Sequence, residues 1–124
     1  MRKILSVLIS AFVSSYLLAA VDNEAQAACT ADQRTTTTSG CLSLAKSGNA
    51  LAQFDMSTRY FTGTEGVKRD EVLAYMWAKV CAQKERVTCG KFINILEMNM
   101  SEVDIAAAKE MASKCLRSDL VECD

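Results

Sequence analysis

Six cysteines are the residues best equipped for covalent chemistry in this 124-residue chain: Cys29, Cys41, Cys81, Cys89, Cys115 and Cys123. Thiols hold metals, carry redox chemistry or close disulfides, and spacing helps to separate these roles. No C-x-x-C pair occurs and histidine is absent, so the pattern fits no standard zinc site and no metal or cofactor is expected. Without histidine there is also no imidazole general base. An even set of thiols on a domain of about a hundred residues reads instead as a disulfide framework. Lys and Arg number 14 and Asp and Glu 15, a formal net charge of −1, which provides no attraction to nucleic acid or an anionic membrane. Proline is absent and glycines number five, too little turn punctuation for a many-stranded sandwich.

The disulfide reading needs an oxidising compartment, and the start of the chain points to one. Arg2 and Lys3 precede an uncharged apolar run from Ile4 to Val21, and Ala25-Gln26-Ala27 then forms an A-x-A site before Ala28. This is the order of a secretory signal peptide over residues 1–27, cleaved between Ala27 and Ala28. An uncleaved membrane anchor is the competing reading. Export places the mature chain in the periplasm or outside the cell, with all six cysteines retained.

The elements that position the cysteines follow from internal repetition. Cys81 and Cys89 form a C-x7-C unit, and Cys115 and Cys123 form another exactly 34 residues later. The same offset superposes Asp70 on Asp104, Ala74 on Ala108, Trp77 on Met111 and Ala78 on Ala112. A period near 34 belongs to helix–turn–helix solenoids. In the first copy Ala74, Trp77, Ala78 and Cys81 share one helical face; in the second Ile105, Ala108, Met111, Ala112 and Cys115 do. Four helices are expected, over 49–62, 70–83, 88–98 and 101–117, with Asp70 and Ser101 as caps and Gly63 ending the first. On the last-but-one of these, Phe92, Ile95 and Leu96 form the apolar side.

Geometry constrains the cysteines further. On one unbroken helix Cys81 and Cys89 would stand about 12 Å apart, whereas a disulfide needs Cα atoms within roughly 7 Å. If they pair, the helix stops between them, at 83–86, and the bond ties a helix end to the start of an antiparallel neighbour. The second unit implies the same arrangement, turning at Ser118-Asp119. Six cysteines allow fifteen connectivities; Cys29 with Cys41 follows by elimination.

The segment 45–89 resembles the Sel-one-like repeat, a shorter relative of the tetratricopeptide repeat. The residues that carry the resemblance are Ala45, Gly48, Ala52-Gln53, Tyr60, Gly63, Gly66-Val67, Asp70, Ala74, Trp77 and Ala78. The C-x7-C units look like the cysteine-rich secreted branch of that family. Two residues, Thr64-Glu65, separate the loop glycines where the family has one, and Met56-Ser57 replaces its Leu-Gly, which predicts a looser helix crossing. The resemblance implies an all-α, disulfide-stapled α/α solenoid over 49–124, preceded by a polar segment with a short helix over 28–48. It also implies a non-catalytic module that binds other proteins.

Other chemistry is weighed against this reading. Ser43-Leu44-Ala45-Lys46 matches S-x-x-K and Lys46-Ser47-Gly48 a K-[ST]-G box, both found in penicillin-binding proteins and serine β-lactamases. The two motifs share one lysine, S-D-N is missing, and the chain is too short for that fold. A helix end before a glycine turn is the simpler reading, with a β-lactam or peptidoglycan enzyme, or a small secreted inhibitor or effector, as the alternatives. Trp77 belongs to a core by its helical spacing. Tyr75 lies on another face and is expected exposed; with Lys68 and Arg69 it is a candidate partner contact. Residues 35–40 read as a polar, mobile loop.

Overall fold

The computed structural model of the chain describes Cys29, residues 37–64 and residues 66–124. The signal segment and its cleavage point at Ala27 and Ala28 lie outside these residues. Among the described residues there are five helices and no strand: α1 Thr38–Lys46, α2 Ala50–Thr62, α3 Glu71–Cys81, α4 Arg86–Glu97 and α5 Glu102–Arg117. None is long and apolar enough to cross a membrane.

Capping chemistry sets the helix starts. Asn49 Oδ1 accepts the Ala52 N–H at 3.0 Å, Asp70 Oδ1 the Leu73 N–H at 2.9 Å and Ser101 Oγ the Asp104 N–H at 3.1 Å. Thr37 Oγ1 does the same for Gly40 N–H at 3.2 Å. Thr38, Ser39 and Gly40 are therefore the first turn of α1, and the loop expected there is corrected to helix. Each such cap stabilises its helix by about 1 kcal/mol. α2 ends at Gly63, whose φ of 68° is left-handed; a Cβ there would sit 3.1 Å from the Arg69 backbone nitrogen.

Cross-helix contacts fix the directions. Thr38 meets Arg59 and Ala45 meets Gln53, so α1 and α2 run antiparallel. Ser57 meets Ala74 and Ala50 meets Cys81, so α2 and α3 do as well. Cys81 bonds Cys89 while Tyr75 reaches Glu97, giving the same sense for α3 and α4. α3 also packs against α5 and is the hub of the bundle. Ser57, expected to loosen the α2–α3 crossing, instead donates its hydroxyl to the Ala74 carbonyl at 2.6 Å, fully buried.

The core divides around α3. Trp77, Val80 and Met76 pack with Ala52, Met56, Ala112 and Cys115 on one side. Ala74, Tyr75 and Ala78 pack with Leu96 and Ala108 on the other. Phe92 of α4 meets Phe54 and Phe61 of α2 edge-on, each at 5.6 Å, which closes α4 onto α2. Ile95 is corrected from core to surface: it is 47 % exposed, and the inward face of α4 is carried by Cys89 and Leu96.

Candidate functional site

Three disulfides link the cysteines. Cys81 joins Cys89 with Cα atoms 6.0 Å apart, Cys115 joins Cys123 at 4.5 Å, and Cys29 joins Cys41 at 5.1 Å. Cys81 is the last residue of α3, the turn at 82–85 follows, and Cys89 lies in the first turns of α4. The C-terminal copy differs from expectation. Residues 118–124 form no helix: Asp119 and Leu120 take left-handed φ values of 51° and 66°, and Leu120 N–H bonds the Cys115 carbonyl at 2.9 Å. That turn folds a non-helical tail back onto α5, so Cys123 reaches Cys115 without a neighbouring helix.

Tyr75 is not an exposed contact. It is fully buried, because α2, α4 and α5 together surround α3 and every residue from Ala74 to Ala78 is inside. Its hydroxyl donates to Glu97 Oε1 at 2.7 Å. Burial, then the hydrogen bond and charge of Glu97, push the phenol well above the usual tyrosine range. Trp77 is fully buried. Ser43 is exposed on α1, and Lys46 Nζ pairs with Asp124 Oδ1 at 3.0 Å; among the described residues no hydrogen bond joins it to Ser43.

Lys68 and Arg69 come together on the loop between α2 and α3. They border an open cleft of about 510 Å³ whose other walls include Thr38, Tyr60, Asp70 and Leu73. Arg69 pairs with Glu71 and lies over the Phe61 ring at 5.6 Å, while Lys68 has no ion pair among the described residues. Asp70 is occupied as the α3 cap. The Tyr60 phenol in this wall is raised by burial and by the nearby carboxylates of Asp124 and Asp70, against a smaller opposing effect of Lys46. The cleft thus combines an accessible cation, two hydroxyls and an apolar wall.

A second constellation lies beneath α1. Asp55 and Arg59, one helical turn apart on α2, are 5 % and 2 % exposed and pair at 2.8 Å. Arg59 Nη1 also reaches Thr38 Oγ1 at 3.3 Å. Asp55 Oδ2 lies 3.1 Å from Cys41 Sγ and 3.5 Å from Cys29 Sγ. Reading by motif missed Asp55 and Arg59. The usable signal was their i, i+4 spacing on the face of α2 that also carries Ala52 and Met56: opposite charges on an apolar stripe belong together.

No known family, curated protein or solved structure matches the chain. The geometry of the two constellations therefore carries the functional argument. The cleft presents an exposed lysine, the hydroxyls of Thr38 and Tyr60 and the apolar Leu73. The buried cluster holds sulfur, carboxylate and guanidinium away from solvent.

Proposed function

We propose that the chain is an exported, non-catalytic protein-interaction module, built as a short Sel-one-like α/α solenoid and held by its disulfides in the periplasm or outside the cell. The observation that carries this reading is the recurrence, at an offset of 34 residues, of a cysteine closing a core-facing helix, Cys81 on α3 and Cys115 on α5. Matching positions on two helices that pack together support descent from one repeated unit. Successive antiparallel helices, with α3 touching both its neighbours and the next-but-one helix, support stacking of such units. A solenoid this short lacks stacking area, and covalent links offset the deficit. The apolar leader and A-x-A site support export. Engagement of Lys46 by Asp124 supports a role without Ser43 nucleophilic chemistry.

On this reading the partner docks at the cleft beside Lys68 and Arg69. A photo-crosslinking amino acid placed at position 68, with position 109 on the exposed face of α5 as control, tests it in the native envelope. A discrete adduct from position 68 and none from position 109 is expected. Absence of any adduct at 68, or the same adducts from both positions, contradicts the assignment.

A further inference from the structure

Cys29, Cys41 and Asp55 converge although nothing in the repeat pattern requires it. Their two sulfurs and one carboxylate oxygen lie within 4.8 Å of one another, and all three residues are buried. Disulfide sulfurs carry no proton, so the contacts with Asp55 Oδ2 at 3.1 and 3.5 Å contain no hydrogen bond while the S–S bond is intact. Opening that bond changes the chemistry of the same atoms. Two thiols then face a carboxylate oxygen at hydrogen-bonding distance, and loss of their protons leaves two thiolates and a carboxylate.

We propose that Cys29, Cys41 and Asp55 form a redox-gated site for a thiophilic divalent cation of the zinc type, closed as the disulfide and open as the dithiol. A dithiol reductant gives two electrons and two protons to the Cys29–Cys41 bond and leaves as its own disulfide. The cation then displaces the two thiol protons and takes both sulfurs and Asp55. Two thiolates and a carboxylate bring negative charge to a buried site, and a divalent cation offsets more of it than a monovalent one. Thiolate ligands select zinc-type ions over magnesium or calcium. Tetrahedral coordination leaves the fourth position to water. Arg59, bonded to Asp55 at 2.8 Å, orients the carboxylate from outside the ligand set.

The Cys41–Asp55 half of the site does not depend on the bond it would lose. Gln53 Nε2 donates to the Ala45 carbonyl at 3.0 Å and Arg59 reaches Thr38, so α1 stays on α2 and Cys41 stays beside Asp55. Neither of the other two cysteine pairs has a third ligand-bearing side chain with it among the described residues. Spacing alone argued against metal because it could not bring Asp55 to the cysteines.

The experiment uses the full chain, reduced with a dithiol that is then removed under nitrogen, and cobalt(II) as a spectroscopic probe. One equivalent bound with thiolate-to-cobalt charge transfer, displaced by zinc, is expected. Zinc should also shield Cys29 and Cys41 from alkylation, read by mass spectrometry, while the other four thiols react. Asp55→Asn should weaken binding at least tenfold, and Cys29→Ser with Cys41→Ser should remove the equivalent. Uptake unchanged in the double variant, no selective shielding, or loss of the helical circular dichroism on reduction overturns the proposal. The shielding pattern is read on the unmodified chain, so it stands even where a variant fails to fold. The cleft plays no part in this experiment, so either idea can fail without the other.

Discussion

At the scale of single residues, charge burial is the most consequential feature. Asp55 and Arg59 are both nearly inaccessible, so each depends on compensation within the protein. Arg59→Leu removes the guanidinium and leaves the carboxylate inside; it should cost about 3–5 kcal/mol, measured by urea denaturation. Tyr75 gives a pH-dependent counterpart. Burial and Glu97 raise its phenol above the ordinary tyrosine value of 10.0, so the folded protein keeps the proton where the unfolded chain has begun to release it. Its contribution is complete below pH 10 and declines as the pH rises from there towards the folded value. Tyr75→Phe should cost about 1 kcal/mol at neutral pH and flatten the alkaline fall in stability relative to the parent. An equal fall in both proteins would show that Tyr75 is not protected in this way.

At the scale of elements, disulfides and caps do the constraining. The Cys81–Cys89 bond closes a nine-residue loop, so replacing both by alanine should lower unfolding free energy by about 2.5 kcal/mol, with the midpoint in guanidinium shifting accordingly. Much of this level was legible beforehand. Asp70 and Ser101 cap the helices that periodicity placed after them, and Gly63 ends α2 because glycine accepts the left-handed φ and has no Cβ to meet the Arg69 backbone. What escaped did so for identifiable reasons. α1 starts at Thr38 because one threonine hydroxyl caps a stretch whose composition reads as loop. Tyr75 escaped because helical periodicity assumes one buried face, and α3 is surrounded. The C-terminal tail escaped because a repeated cysteine spacing does not require a repeated helix; two left-handed residues suffice.

At the scale of the whole molecule, a small bundle stands around one buried helix, with a cleft on the loop leading into it. The cleft cations lie on the surface, and changing them should not disturb the core. Arg69→Glu, combined with the crosslinking amino acid at position 68, should leave the thermal midpoint within a few degrees of the parent, because Arg69 is exposed and its ion pair with Glu71 is a surface one, while abolishing the adduct from position 68. The candidate site was half legible. Lys68 and Arg69 could be singled out as charged loop neighbours, but the walls that make them a cleft come from three separate elements. Asp55 at the Cys29–Cys41 bond is a tertiary fact, since 26 and 14 residues separate it from the two cysteines. The architecture as a whole depends on which sulfurs are joined. Non-reducing proteolysis and mass mapping of the oxidised chain measure that directly: peptides linking Cys81 to Cys89, Cys115 to Cys123 and Cys29 to Cys41 are expected, and any linkage crossing between these pairs would contradict the account.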